Sequence, residues 1–236
     1  TDRGAVLIEL SYQHEGATGE GLSFQPAFQA AIPSLPLLDQ AGYSVGVWDS
    51  CMTVFDLKTL AVASLVPVGS QPTGMAVDPI TRRGYIALAG EDTIAVLDLL
   101  KLDVITRIPI QTGDRPRAIA LSPDRKFLVT ANEGTDTVSI FDPASGVETD
   151  RLEVGERPHD VVFDRSGERA FVFSRLGNTI SIVNPARALV VGTIGTEAGP
   201  LTGAFSRDGD RLYVIHEGSP NVVIFDASGG QVGQLY

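Results

Sequence analysis

Short apolar runs recur along the chain, each broken by Pro, Asp, Asn, Ser or Gly. In one stretch they read Pro116-Arg-Ala-Ile-Ala-Leu-Ser-Pro-Asp124, Lys126-Phe-Leu-Val-Thr-Ala131, Thr137-Val-Ser-Ile-Phe-Asp142 and Val147 to Val154. Such runs, bounded by turn formers and rich in β-branched and aromatic residues, predict four consecutive strands. Ser122-Pro-Asp-Arg, Asp164-Arg-Ser-Gly and Ser206-Arg-Asp-Gly predict tight hairpins between the first and second strands. Asp142-Pro-Ala-Ser-Gly146 and Asp226-Ala-Ser-Gly229 predict turns between the third and fourth, the Asp carboxylate accepting backbone N–H groups. Asp56 and Asp98 occupy the same slot.

The four-run unit repeats. Pro72, Pro116, Pro158 and Pro200 stand 44, 42 and 42 residues apart, and each is followed 26 residues later by Asp98, Asp142, Asn184 or Asp226. A period near 42 with four short strands is one blade, and a blade cannot bury both faces alone. Stacked radially, such units make an all-β fold, a β-propeller of four-stranded blades with at least five in this chain.

The residue four after each proline is Ala76, Ala120, Val162 or Ala204, and the next is Val77, Leu121, Phe163 or Phe205. Small followed by bulky suits strands crowded around an axis, so the proline-led run is assigned as the inner strand. Tyr85, Phe171 and Tyr213 each stand 13 residues before the terminal Asp or Asn, and Tyr43 to Asp56 repeats that spacing. A fifth copy therefore begins upstream of Pro72. Its start is degraded: Ala30 replaces the proline, and Pro33 and Pro36 suit an edge or an irregular loop.

The predicted boundaries are about 27–68, 72–110, 116–154, 158–195 and 200–236, after a divergent segment 1–26. Residues 4 to 12 offer one further strand, placed either to close the ring against the last blade or in another incomplete blade. Two intervals stretch: Asp98 to Pro116 is 18 residues against 16 elsewhere, and Phe127 to Asp142 is 15 against 13. Both are expected to lengthen loops on one face, projecting Gln111–Asp114 and Asn132–Asp136 beside Arg115 and Arg117.

Charge narrows the partners. Eighteen basic against 29 acidic residues leave a net charge of -11, which repels nucleic acid and anionic lipid and suits a partner with a basic patch or a cationic small molecule. Cys51 is the only cysteine, so no intrachain disulfide forms and no cysteine cluster holds a metal; no CxxCH haem motif is present. No apolar run approaches the roughly 20 residues needed to cross a bilayer. The chain starts at Thr1, as expected of a sequence whose signal segment has been removed or whose start was trimmed, and direct membrane insertion is not expected.

Pro-x-x-Ile-Ala-Leu-Ser-Pro-Asp, Phe-Leu-Val-Thr-Ala-Asn132, Asp136-Thr-Val-Ser-Ile-Phe-Asp142 and Leu152-Glu-Val-Gly-Glu-Arg-Pro158 resemble the YVTN-type β-propeller repeat, over about residues 42 to 236. Tyr213-Val-Ile-His216 and Phe171-Val-Phe-Ser174 are variants of its core. The resemblance implies an exported, periplasmic or extracellular protein, such as a surface-layer, adhesion or periplasmic component. Its implied partner is another protein: a cytochrome or dehydrogenase subunit, or a cell-surface component. Related propellers include amine dehydrogenase large subunits, the haem d1 domain of nitrite reductase, and lactonases.

Propeller chemistry collects where loops enter the inner strand and leave the second. That rule selects Arg115, Arg117, Asn132, Glu133, Arg157, His159, Asp160, His216 and Glu217 as binding candidates, with Gln71, Thr73, Glu91 and Arg175 around them. The arginines beside histidines suit a carboxylate or phosphate, and equally suit internal pairing with Glu133, Asp160 and Glu217. His216 fills the slot of Asn132 and is expected to replace its side-chain hydrogen bond. There is no HxH or HxxxH pair and no GxSxG, so no metal site, cofactor or catalytic residue is assigned. The leading expectation is a non-enzymatic interaction or accessory subunit of a redox or cell-surface assembly. The alternative is a propeller enzyme or cofactor-binding subunit, lactonase-like with Glu and Asn on a divalent metal, or like an amine dehydrogenase large subunit.

Overall fold

The computed structural model describes residues 8–10, 41–46, 50–56, 61–226 and 229–235. His14, the glycine-rich stretch 16–21 and the degraded repeat start with Ala30, Pro33 and Pro36 lie outside them. The described residues form five four-stranded sheets in two compact units, 1–109 and 110–236.

In the first unit, sheet 1 contains β1 (Ile8–Leu10), β2 (Ala41–Gly46), β3 (Cys51–Asp56) and β4 (Ala61–Pro67). Sheet 2 contains β5 (Pro72–Asp78), β6 (Arg83–Leu88), β7 (Thr93–Asp98) and β8 (Asp103–Pro109). In the second unit, sheet 3 is β9 (Pro116–Leu121), β10 (Leu128–Asn132), β11 (Thr137–Asp142) and β12 (Val147–Glu153). Sheet 4 is β13 (Pro158–Phe163), β14 (Ala170–Ser174), β15 (Thr179–Asn184) and β16 (Leu189–Gly195), and sheet 5 is β17 (Pro200–Phe205), β18 (Arg211–His216), β19 (Val222–Asp226) and β20 (Gln231–Leu235).

Sheets 2 to 5 are antiparallel meanders in sequence order, the architecture of propeller blades. Sheet 1 departs from them: β1 pairs in parallel with β2, in the place that the other sheets give to the proline-led strand.

Turn chemistry explains the meanders. Asp98 Oδ1 accepts the Leu100 and Lys101 N–H groups at 2.9 and 3.0 Å, and the Asp142 carboxylate accepts those of Ala144 and Ser145 at 3.0 and 3.3 Å. Asn184 caps a single 3-10 turn, Pro185–Arg187, by accepting the Arg187 N–H at 3.0 Å. These local acceptors stop the third strand and reverse the chain.

The core lies between sheets. Val129, Ala131, Val138 and Ile140 of sheet 3 meet Val161, Ala170, Val172 and Val183 of sheet 4. The opposite face of sheet 4, with Phe171, Phe173, Ile180 and Ile182, meets Leu212, Val214, Val223 and Phe225 of sheet 5. Successive residues of one strand therefore serve two interfaces, as the two-residue period of a strand requires. Phe205 packs edge-on to Phe171 with ring centroids 5.0 Å apart, so the bulky inner-strand residue wedges against the preceding sheet.

The registers correct one expectation. Asn132 pairs with Thr137 and Ser174 with Thr179, leaving four residues between the second and third strands in both sheets. Val129, not Phe127, occupies the slot of Phe171, so no extension exists between Phe127 and Asp142. The other extension is real: six residues, 110–115, join β8 to β9, against four, 154–157, between β12 and β13.

Candidate functional site

In sheets 2 to 5 the loop entering the inner strand is tied to the loop leaving the second strand. The residue before each repeat proline offers its carbonyl: Gln71 to the Ala89 N–H, Arg115 to Glu133, Arg157 to Arg175 and Gly199 to Glu217, at 2.9, 3.3, 2.9 and 2.7 Å. Gln71, Arg115 and Arg157 reach this geometry at φ of 50°, 48° and 55°, the left-handed region that Gly199 enters at 70°. A long side chain there is strained, and neighbouring contacts must hold it.

Outer strands strap the same loops down. Arg107 of β8 donates to the Val68 carbonyl at 2.8 Å and pairs with Glu91 at 3.0 Å, while Glu91 accepts the Ser70 N–H at 2.6 Å. Arg151 of β12 meets the fully buried Asp114 carboxylate through two bonds of 2.7 Å, and Asp114 also accepts from Thr135 at 2.7 Å. Bidentate geometry and burial make this the strongest ionic contact described, and Asp114 is the first cause holding the Arg151 pKa above its ordinary value. Gln234 reaches Glu197 at 3.4 Å in the corresponding place of sheet 5.

Across the second unit, equivalent residues of successive sheets touch. Arg117 donates to His159 Nε2 at 3.3 Å, and the His159 Nδ1–H donates to the Leu201 carbonyl at 3.0 Å. The carbonyl can only accept and the guanidinium only donate, so His159 is neutral with its proton on Nδ1. Burial and then the Arg117 charge push its pKa below the usual histidine value. Beside it, Asp160 accepts from the Thr202 hydroxyl and, at 2.8 Å, from the Val161 N–H. Desolvation outweighs those bonds and the Arg117 charge, raising its pKa to about 6.

The remaining candidates divide into a row of ion pairs and two internal groups. Arg157 pairs with Glu133 at 3.7 Å and fixes its own N–H on Asp136 at 2.8 Å; Arg175 pairs with Glu217 at 3.3 Å. Asn132 is fully buried, accepting from Thr130 at 2.9 Å and donating to Thr137 and Ser139 at 3.1 and 2.9 Å. His216 is also buried, its Nε2 2.6 Å from the Thr196 hydroxyl, and burial lowers its pKa. Arg115 is exposed, and Thr73 donates to the Ala87 carbonyl at 3.3 Å.

The structure thus joins Arg117, His159 and Asp160 in one group and lines up the Arg157 and Arg175 pairs, while Asn132 and His216 turn inward. Sequence reasoning passed over Arg151 and Thr202, and placed Asp136 in a projecting loop without its bond to the Arg157 N–H. Spacing carried a signal for each kind of contact: Arg117–His159, Asp160–Thr202 and Arg175–Glu217 are all 42 apart, while Asp114–Arg151 and Glu197–Gln234 are both 37 apart. Among the described residues, no three His, Cys, Asp or Glu side chains come together as a metal-binding group.

Residues 44–152 match the model of a family described as lactonase, 7-bladed β-propeller. No curated protein matches the sequence. Solved structures do: a Kuenenia stuttgartiensis hydrazine synthase at 23% identity and TM-score 0.70, over 79% of this chain and 60% of that one. A functionally unknown protein from Desulfotomaculum acetoxidans DSM 771 matches at 23% identity and TM-score 0.72, over 83% and 66%. The β-propeller domain of Myceliophteria thermophila Cps50 (Swd1) matches at 17% and 0.63, over 79% and 61%. The chain spans less than two thirds of each of these structures, and together with the family match they place it among β-propeller proteins.

Proposed function

We propose that this chain is a protein-interaction or accessory subunit that presents the loop face of its second unit to another protein. The carrying observation is the row of half-exposed ion pairs, Glu133–Arg157 and Arg175–Glu217, repeated from sheet to sheet. Alternating charges fixed on tied loops give a partner orientation and register, and exposed pairs cost little to rearrange on docking. The YVTN-like repeats support an exported, periplasmic or extracellular setting, with a cytochrome, dehydrogenase subunit or cell-surface component as partner. The test is cross-linking in the native compartment, followed by affinity measurement with the identified partner. Replacing Arg157 and Arg175 by Glu is expected to weaken that affinity at least about tenfold while leaving the melting temperature nearly unchanged. Robust turnover by the isolated chain, lost on substituting His159 or Glu133, would sink the reading.

A lactonase-like reading is favoured by the family match over residues 44–152. Its expected Glu and Asn ligands are engaged elsewhere: Glu91 with Arg107, Asn132 with Thr137 and Ser139, Glu133 with Arg157, and Glu217 with Arg175. Lactone hydrolysis stimulated by a divalent cation and abolished by a chelator would establish it over the docking reading.

A further inference from the structure

We propose that Arg117, held in place by His159, binds a carboxylate group. The site does not depend on the docking reading, because it lies on the inner strands β9 and β13 rather than in the row of loop ion pairs.

The guanidinium of Arg117 is the starting point. It is half-buried, its side-chain hydrogen bond goes to His159 Nε2 at 3.3 Å, and no acidic side chain lies within ion-pairing distance among the described residues. Arg157 and Arg175 nearby are paired with Glu133 and Glu217, so Arg117 is the cation of this group with donor capacity left over. A planar fork with several N–H groups in a partly desolvated place matches a carboxylate bidentately. Its orientation is fixed through His159, itself anchored on the Leu201 carbonyl at 3.0 Å.

Asp160 sets the pH dependence. It sits close enough for the Arg117 charge to lower its pKa against the larger effect of burial. An ionised Asp160 repels a bound carboxylate and offsets part of its attraction to Arg117. Protonation of Asp160, with a pKa of about 6, removes that repulsion, so affinity rises as pH falls through this value. The other groups acting on the pair are Thr202, which donates to Asp160, and Glu133 and Arg175, whose opposite charges both reach His159.

The test is a titration of the full chain with sodium acetate against sodium chloride at matched ionic strength, read by the His159 imidazole and Arg117 Nε NMR shifts. Acetate is expected to give a saturating change that chloride does not give. R117Q is expected to weaken binding at least about tenfold, and R187Q, an exposed control, to leave it unchanged. D160N is expected to tighten binding at neutral pH and to flatten its pH dependence. A peptide with a free C-terminal carboxylate, compared with its amidated form, separates a partner's carboxylate from a free small acid. Identical shifts with chloride, unchanged binding in R117Q, or weaker binding in D160N would each overturn the proposal.

Discussion

Among the described residues, Asp160 has the titration most displaced from its ordinary value. Its carboxyl is held at about 6 rather than 3.8, so the folded chain binds this proton more tightly than the unfolded one. The stability gained is complete below 3.8 and lost as pH rises through 6. His159 has the opposite sign: its lowered pKa favours the fold above 6.5 and withdraws that support as pH falls. D160N is therefore expected to melt several degrees above the parent at alkaline pH, by roughly 1 to 2 kcal/mol. The advantage should vanish well below pH 6, and a melting series across pH checks this. The sequence already named Asp160 and His159 by their places after Pro158, but it could not name their partners. Those partners, Thr202 and Leu201, belong to the next sheet, and only the 42-residue step links them. Asn132 and His216 satisfied the same loop-end rule and yet face inward, because a residue at the end of a strand has two faces to choose from.

At the scale of elements, the joints between sheets exchange volume. Ala131 of β10 and Val161 of β13 fill one joint; in the next, Phe173 of β14 and Gly203 of β17 take the corresponding places. A Cβ on Gly203 would lie 2.7 Å from the Phe173 ring and 2.8 Å from the Tyr213 carbonyl oxygen. G203V is expected to cost about 1 to 3 kcal/mol by overpacking, and F173A about 3 to 5 by leaving a cavity. Because the two errors are complementary, the double variant F173A/G203V should recover part of both losses, giving a clearly non-additive cycle in chemical denaturation. Additive losses would show that the two side chains do not share one space. The sequence displayed the small-then-bulky inner-strand pattern but not this exchange, since Phe173 and Gly203 lie in different repeats. Misalignment of Phe127 with Phe171 had a nearer remedy. The interval from Pro116 to Asp142 is the same 26 residues as in its neighbours, so an inserted residue in the second hairpin had no room.

Over the whole molecule, the repeat accounts for sheets 2 to 5 and the order of their strands, because prolines, turn aspartates and apolar alternation are local signals. Sheet 1 was less legible: its parallel β1 comes from a segment without the repeat proline. Burial also changes along the repeat. Ala87, Ala131 and Phe173 occupy one slot and are fully buried, whereas Ile215 in the same slot of sheet 5 is 39% exposed. Sequence alone gives these four positions one environment, so a charge at each should be equally damaging. The structure separates them. A buried unpaired carboxylate in the joint between sheets 3 and 4 has no compensating partner, and A131D is expected to cost more than about 3 kcal/mol or to prevent folding. I215D places the same charge where water reaches it, and its cost should stay within about 1 kcal/mol. Solubility and chemical denaturation of the two variants distinguish the cases. Equal loss in both would mean that sheet 5 is covered on that face in solution as completely as sheets 3 and 4 are in their shared joint.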